Sequence, residues 1–184
     1  MIVKRNGQCA IGCNAKIAID CVQNSSFCDS EEEAQEFQIV LEEVDLRDVL
    51  QNTFQVCQSG AKGKNITIQI ECDINLKAKV NAPLLGQALV NLVQNAVEYS
   101  VKDSRVLISA VQENGQLIIS VHDWGSGIAR DHFPRLFERF YRVDKARSRE
   151  EGGSGLGLAI CKSIVESHEG KIEAVSYTHL RAHE

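Results

Sequence analysis

The sequence predicts an α+β domain in which helices cover one face of a mixed β-sheet. The segment from Ile66 to Ile70 alternates apolar and polar residues, as a half-buried strand does. Asn114 and Gly115 separate two further alternating segments, and Asn-Gly at such a position favours a tight hairpin. A helix is expected from about Pro83 to Tyr99, since proline is tolerated in a first turn. Because strands, hairpins and helices are interleaved along the chain, the sheet should be mixed, with its helices on one side.

The remaining elements follow from local signals. Asp45 is a suitable cap for a helix that ends near Gly60, because its carboxylate can accept a hydrogen bond from the first turn. The last helix is expected from Gly155 to Ser167, with an apolar stripe of Leu156, Ala159, Ile160, Ile164 and Val165. Short apolar segments predict the other strands, at Phe37 to Leu41, Ala78 to Val80, Val106 to Gln112, Leu117 to Val121 and Lys171 to Val175.

Composition argues against several classes of protein. The 184 residues are 43% hydrophobic and 24% charged, which is typical of a globular chain with one domain and a leader. The net charge of −5 gives no reason to expect nucleic-acid binding. No apolar run approaches the roughly 18 residues of a membrane span, so no membrane contact by this chain itself is expected. Met1 to Arg5 has the charge of a signal peptide, but polar residues interrupt the apolar stretch that should follow.

Seven cysteines raise the question of disulfides or a metal. No Cys-x-x-Cys pair occurs and no histidine precedes His122, which is poor spacing for a tetrahedral zinc site. An odd number of cysteines without an export signal favours reduced thiols in a reducing compartment, and therefore the cytoplasm. We expect free cysteines that act as small apolar residues.

Four short blocks follow one another in a fixed order. They are Asn91 to Ala96 (NLVQNA), Asp123 to Ile128 (DWGSGI), Phe137 to Tyr141 (FERFY) and Gly152 to Leu158 (GGSGLGL). Each block alone is a weak signal, since short glycine-rich strings recur by chance. Together they resemble the N, G1, F and G2 boxes of bacterial sensor histidine kinases, over about Phe37 to Ser176. The resemblance implies the Bergerat-type fold of the gyrase, chaperone, histidine kinase and mismatch-repair ATPases, a two-layer α/β sandwich with ATP and Mg²⁺ as ligands.

Asn91 and Asn95 are four residues apart on a predicted helix, so their side chains share one face at the border of its apolar arc. In isolation, two ordinary polar residues would be an equally good interpretation, although asparagine is a mediocre helix former. The resemblance implies that the Asn95 amide oxygen binds a Mg²⁺ ion that bridges the phosphates, with Asn91 supporting the phosphates. A neutral amide oxygen suits a hard cation that keeps most of its waters.

Asp123 ends a predicted strand just before Gly125 and Gly127. Asp-x-Gly is common in turns, so a turn-initiating aspartate is the competing interpretation. The resemblance, which includes Ile128, implies that the Asp123 carboxylate accepts a hydrogen bond from the adenine amino group. The glycines let the backbone approach the ring. Tyr99 is expected to pack on the base, with a half-buried core tyrosine as the alternative.

Small residues open the last predicted helix, where backbone N–H groups and the helix dipole favour phosphate. No Gly-Lys-Ser/Thr follows, so the segment is not a Walker loop, and a flexible loop is the competing interpretation. By resemblance the charged segment before it is a mobile lid with Arg142 and Lys145 as phosphate contacts, although such a loop is more often simply solvated. The resemblance makes nucleotide contacts of Gly153, Ser154, Gly155, Leu156, Gly157 and Leu158.

The chain departs from the family pattern at several points. Glu98 stands where a lysine beside the phosphates is usual. Gln87 stands where related ATPases carry a glutamate base, and an amide cannot take a proton, so water-directed hydrolysis is disfavoured. No histidine is followed by an acidic residue and, shortly after, by a proline, as the phosphoacceptor histidine of the family is, so we assign no catalytic residue.

Three regions are expected along the chain. Residues 1–36 form a leader, interpreted as a degenerate remnant of the second helix of a dimerisation hairpin or a loosely ordered arm. Residues 37–176 form the ATP-binding domain. Residues 177–184 do not continue the family pattern, which would supply a turn and one more strand. The tail is therefore interpreted as non-native, and the sheet as lacking its last strand.

The sequence thus predicts the Mg-ATP-binding catalytic part of a protein histidine kinase. The implied reaction transfers the γ-phosphoryl group to a histidine on a separate dimerisation domain, from which it passes to the receiver domain of a response regulator. The parent kinase is expected to be anchored in the inner membrane, with this domain in the cytoplasm. Two alternatives stay open: a nucleotide-binding or docking module without transfer activity, and a protein serine kinase of the same fold.

Overall fold

The computed structural model describes residues 13–20, 39–143 and 154–176. Within these ranges the strands are β1 (Cys13–Asp20), β2 (Glu42–Asp45), β3 (Thr67–Cys72), β4 (Lys77–Val80), β5 (Arg105–Glu113), β6 (Gln116–Asp123) and β7 (Lys171–Ser176). The α-helices are α1 (Leu46–Gly63), α2 (Ala82–Tyr99) and α3 (Gly157–Ser167), and a 3₁₀ helix covers Arg130–Arg135.

Five of the strands form one mixed sheet, in the order β3-β5-β6-β1-β7. β3 and β5 are parallel, whereas the other neighbouring pairs are antiparallel. β2 and β4 form a separate antiparallel pair. Asn114 and Gly115 close the β5–β6 hairpin with φ angles of 50° and 78°, the positive values that the favoured two-residue turn requires. The predicted mixed sheet and its Asn-Gly hairpin are confirmed.

The three α-helices pack on one face of this sheet. Ile17, Ile108 and Ile119 of the sheet share one buried core with Leu50 of α1 and Leu89 of α2. Along β5 and β6, buried residues alternate with partly exposed ones, as expected for a sheet that is covered on one side only. The predicted two-layer sandwich is therefore confirmed. In the described parts of the chain, no helix combines the length and the apolarity needed to cross a membrane.

The strand β1 corrects the interpretation of the leader. Cys13–Asp20 is a strand inside the sheet, between β6 and β7, and not part of a helical remnant. Ile17 and Ile19 are 0% and 3% exposed, so this segment belongs to the core, and the predicted domain boundary at residue 37 is wrong for it. A signal was present, because the apolar residues here recur at every second position. Residues 1–12 and 21–36 lie outside the described residues.

Three other local predictions were wrong. The strand that precedes α1 is Glu42–Asp45, which pairs with β4, whereas the described residues of Phe37 to Leu41 form no strand. The last helix begins two residues later than predicted, because Gly155 has a φ of +70°, outside the helical region. Ile160 is 38% exposed and does not belong to the buried stripe of that helix. The tail, residues 177–184, lies outside the described residues, so its interpretation stays a prediction.

The His168 side chain links the end of α3 to the start of α2 by hydrogen bonds. The residue is 3% exposed. Its Nε2 accepts a hydrogen bond from the Asn81 N–H at 3.0 Å, so the neutral ring carries its proton on Nδ1. Nδ1 in turn donates to the carbonyl of Ile164 at 2.7 Å. Both ring nitrogens are therefore used in joining two helices.

Replacing His168 by alanine should lower the free energy of unfolding by about 2–4 kcal/mol, because the Asn81 N–H loses its acceptor and a cavity is left. Urea denaturation measures this change. Ser167→Ala is the matched control, since Ser167 is exposed and hydrogen-bonds within its own helix to Ser163. Its effect should stay within about 0.5 kcal/mol. Equal unfolding midpoints for the two variants would contradict the role assigned to His168.

Candidate nucleotide-binding site

The two asparagines of α2 lie against the start of α3. Asn91 and Asn95 are half-buried on one face of their helix. A Cβ placed on Gly157 would lie 3.9 Å from the Asn91 Cγ and 4.0 Å from the Asn95 Nδ2. The Asn91 Nδ2 is also 3.5 Å from the Gly157 carbonyl oxygen, at the long limit of a hydrogen bond. The fold thus brings both amides to the first turn of α3, where the helix dipole favours negative charge.

The thiol of Cys161 supports Asn91 from the buried side. Cys161 is fully buried, and its Sγ lies 3.2 Å from the Ala88 carbonyl oxygen, to which it donates. Burial raises the pKa of this thiol to about 12, and a hydrogen bond with the Asn91 side chain opposes part of that rise. The group therefore stays protonated and packs as a small side chain. Among the described residues, Cys57, Cys72 and Cys161 also form no disulfide.

The glycine loop before α3 is held by the backbone of Phe140. The Phe140 N–H donates to the Gly155 carbonyl at 3.0 Å. Gly155 has a φ of +70°, and a Cβ there would lie 3.0 Å from the Phe140 backbone and 3.2 Å from the Arg142 Cγ. Both the conformation and the space therefore require glycine. Arg142 lies beside this loop, and its predicted phosphate contact stays a prediction; Lys145 and Gly153 lie outside the described residues.

Other predicted contacts are spread over the loops before α3 and after β6. Ser154 is exposed, and its Oγ accepts a hydrogen bond from the Leu156 N–H at 3.4 Å. Leu158 is half-buried and packs against the core, so packing accounts for it without a ligand. Gly127 has a φ of +75°, and Ile128, which follows it, is half-buried.

Asp123 is a buried polar group at the end of β6. It is 7% exposed, and its Oδ1 accepts hydrogen bonds from the Gly125 N–H at 2.8 Å and the Cys13 N–H at 3.3 Å. Burial raises the pKa of this carboxyl, and the two N–H donors oppose part of the rise. The contact with Gly125 uses only one carboxylate oxygen, so a turn role and a ligand role are compatible. Sequence reasoning missed Cys13, which lies 110 residues away along the chain.

Gly125 brings the loop after β6 against the end of α2. It forms an isolated antiparallel bridge with Ser100. A Cβ on Gly125 would lie 2.4 Å from the Tyr99 carbonyl oxygen, which forces a backbone shift. Tyr99 itself is 49% exposed. The Asp123 end of the site is thus joined to the end of α2, about 12 Å along that helix from Asn91 at 1.5 Å per residue.

The buried Asp123 carboxyl predicts a pH dependence of stability. Its folded-state pKa lies above the ordinary 3.8, so the ionised form costs stability at neutral pH, and that cost is relieved as pH falls through the folded pKa. The free energy of unfolding of the wild type, minus that of Asp123→Asn, should therefore increase on acidification. Denaturant titrations of both proteins over a pH series measure this difference. A constant or decreasing difference would contradict the direction of the pKa shift.

Comparisons with known proteins identify the family. The family model described as "Histidine kinase-, DNA gyrase B-, and HSP90-like ATPase" matches residues 80–182. The sensor-like histidine kinase SenX3 of Mycolicibacterium smegmatis is 40% identical over 132 residues, which cover 72% of this chain and 34% of SenX3. The sensor histidine kinase YkoH of Bacillus subtilis is 38% identical over 134 residues, covering 73% and 29%. The chain therefore spans about a third of the length of these relatives.

Solved structures share the fold. The catalytic domain of histidine kinase ThkA matches with a TM-score of 0.62 and 21% identity, covering 74% of this chain and 93% of that domain. Full-length ShkA in complex with AMPPNP matches with a TM-score of 0.61 and 26% identity, covering 77% of this chain and 31% of ShkA.

The fold and the site together define an ATP-binding domain with a two-layer α/β sandwich. The chain belongs to the family of histidine kinase-, DNA gyrase B- and HSP90-like ATPases. Among its relatives it resembles sensor histidine kinases, and the part that it shares with them is their ATP-binding catalytic domain.

Proposed function

We propose that this domain binds Mg-ATP and, within a sensor histidine kinase, transfers the γ-phosphoryl group to a histidine on a dimerisation domain. The receiver domain of a response regulator then accepts the phosphoryl group. The observation that carries the proposal is the meeting of Asn91, Asn95 and Gly157 at the N-terminus of α3. Phosphoryl transfer depends mainly on positioning and charge neutralisation, which a helix N-terminus flanked by amides supplies.

Each end of the site suits one part of the nucleotide. At one end, Asp123 is a buried acceptor for the adenine amino group, next to a loop that Gly125 holds against the end of α2. At the other end, the backbone N–H groups at the start of α3 suit the phosphates. Arg142 lies beside Gly155 of that loop and adds a positive charge there. The α2 helix sets the separation of the two ends.

The residues present fit a magnesium ion that is held chiefly by phosphate and water. In the parts of the chain that the structure describes, no group of three or more His, Cys, Asp or Glu side chains could hold a metal. Asn95 contributes a neutral amide beside the start of α3, and an amide oxygen suits Mg²⁺ with most of its waters retained. When bound, the ion would neutralise phosphate charge.

His122 and His168 are not placed to receive the phosphoryl group. His122 is adjacent to Asp123, at the adenine end of the site. His168 is buried with both ring nitrogens hydrogen-bonded. It also lies just beyond α3, about 16 Å from Gly157 at 1.5 Å per residue. We propose that the acceptor histidine belongs to another domain of the parent kinase, and that the parent kinase is anchored in the inner membrane with this domain in the cytoplasm.

Asn95→Ala is expected to lower the affinity for Mg-ATP at least about tenfold while the fold persists. The substitution removes the amide oxygen that we propose contacts the Mg²⁺ ion. Isothermal calorimetry with and without magnesium measures the effect, which should largely disappear in EDTA. Gln94→Ala is the matched control, since Gln94 is the exposed neighbour and lines a cleft between α1 and α2 instead. If Asn95→Ala binds Mg-ATP with the affinity of the wild type, Asn95 is not a ligand of the metal.

Incubation with γ-labelled ATP and a separately supplied dimerisation domain tests the transfer itself. Acid-labile label should appear on the histidine of that domain, and this chain alone should bind ATP without labelling itself. Binding without transfer would favour the nucleotide-binding module, an alternative that rests on Glu98 and on the missing acceptor. Acid-stable label on serine would favour a serine kinase. Stoichiometric phosphohistidine on this chain would overturn the assignment of the acceptor to another domain.

A further inference from the structure

The slot between β6 and β7 is filled by a strand from the opposite end of the chain. β1 is antiparallel to both neighbours, with Ile17 opposite Ile119 of β6 and Ile172 of β7. In the described residues β7 pairs with no other strand, so β1 alone joins it to the sheet. Ile17 and Ile19 of β1 are almost fully buried in the core. The slot therefore binds an extended segment through two hydrogen-bond ladders and alternate apolar side chains.

The direction of β1 is compatible with an occupant from either side of the domain in the sequence. A chain that leaves β7 through a hairpin would run antiparallel to β7, which is the direction of β1. Backbone ladders are largely independent of side-chain identity, and alternate apolar residues provide the selectivity. The slot thus suits an extended peptide whose apolar residues recur at every second position, whether it precedes or follows the rest of the domain.

The first residue of β1 reaches the candidate nucleotide site. The Cys13 N–H donates to the Asp123 Oδ1 at 3.3 Å, and the Gly125 N–H donates to the same oxygen at 2.8 Å. Asp123 is 7% exposed, so few other donors are available to orient its carboxylate. A buried carboxylate that loses one hydrogen-bond donor is held less firmly in one orientation, and its ionised form becomes less favourable.

We propose that the slot between β6 and β7 is a strand-binding site whose occupant, residues 13–20, orients Asp123 through the Cys13 N–H and so sets the affinity for the nucleotide. Cys13 is a positioning residue, and it acts through its backbone. The inference rests on the proposed role of Asp123 as the adenine acceptor. It makes the N-terminal segment part of the nucleotide site, and it makes any strand that replaces this segment a determinant of ATP binding.

Cys13→Pro in the full chain tests the positioning step, because proline lacks the N–H and is tolerated at the first residue of a strand. The affinity for ATP should fall about tenfold, the effect of losing one hydrogen bond to a charged group. Asp20→Pro is the control for proline strain, since Asp20 is the exposed last residue of the same strand. Its affinity should match that of the wild type. Cys13→Ala keeps the N–H and should also bind as the wild type does.

The results separate this inference from the proposed function. If the wild type fails to bind ATP, the proposed function fails. If the wild type binds ATP and Asp123→Asn does not, but Cys13→Pro binds as the wild type does, only the positioning inference is overturned. Circular dichroism and the unfolding midpoint confirm that the proline variants are folded. A Cys13→Pro chain that has unfolded while Asp20→Pro has not counts against the inference, since the contact would then be structural.

A labelled peptide with the sequence of residues 13–20 tests the strand site. It is added to the chain carrying Ile17→Asp and Ile19→Asp, whose own strand can no longer be buried. Saturable binding, measured by fluorescence anisotropy, should accompany at least a fivefold recovery of ATP affinity. The same peptide carrying both aspartates should neither bind nor restore affinity. Lack of saturable binding by the native peptide, or equal binding by the two peptides, would overturn the strand site.

Discussion

Asp123→Asn is expected to lower the affinity for ATP by about 5- to 150-fold, the equivalent of 1–3 kcal/mol, while the domain stays folded. The asparagine carbonyl can still accept from the Gly125 and Cys13 N–H groups, which the Asp123 Oδ1 does in the wild type. The second oxygen becomes an NH₂ group that faces the adenine amino group. Two donors then oppose each other in a buried site, where neither can be solvated.

Competition calorimetry with ATP and GTP measures the effect of this substitution. Asp131→Asn is the control, because Asp131 is an exposed aspartate of the 3₁₀ helix and should leave both affinities unchanged. If Asp123→Asn binds ATP as the wild type does and still excludes GTP, the adenine assignment is wrong. If ATP binding is lost together with a large drop in the unfolding midpoint, Asp123 has only a structural role in the turn.

Of the substitutions that add a single methyl group in the described part of the site, Gly125→Ala should be the most damaging. The new Cβ would lie 2.4 Å from the Tyr99 carbonyl oxygen and 2.9 Å from the Asp123 Oδ1. Since the first of these atoms is backbone, the loop must move away from the end of α2. We expect a loss of about 1–3 kcal/mol in the free energy of unfolding, typical of overpacking, together with loss of ATP binding.

Gly86→Ala is the matched control for Gly125→Ala. Gly86 lies within α2, and a Cβ there meets no atom within 4 Å. Alanine at such a helical position should stabilise the protein by about 0.4–1 kcal/mol. The two substitutions add the same atoms, so opposite signs in urea denaturation would isolate the steric effect. Destabilisation of the same size in both variants would contradict the close approach of Gly125 to Tyr99.

Helices and hairpins could be predicted from the sequence because their signals are local. Asp45 caps α1 by accepting a hydrogen bond from the Arg47 N–H at 2.9 Å, as its position before an apolar helix predicted. The Asn-Gly turn, the two long helices and the strands on either side of that turn are also where local patterns place them. These elements depend on interactions between residues a few positions apart, which propensity and periodicity report directly.

The candidate site could also be located from the sequence, although the fold does not test the roles predicted for its residues. The spacing of Asn91 and Asn95 puts both on one helical face, and the structure brings Gly157 against them. The positive φ of Gly155 explains why small residues are needed before α3, yet it also shifts the helix start that periodicity predicted. Lys145 and Gly153 lie outside the described residues, so their phosphate contacts remain predictions.

The sequence by itself determined the family motifs, the two long helices, the Asn-Gly hairpin and the one-sided burial of the sheet. The tertiary structure alone decided that β1 lies between β6 and β7, because strand pairing over such distances leaves no local signal beyond an alternating segment. The Cys13 N–H and the Asp123 carboxylate are 110 residues apart in the chain, and only the register of β1 on β6 brings them within 3.3 Å. Long-range register depends on which apolar faces fill the core together, a property of the whole sheet and not of any one segment.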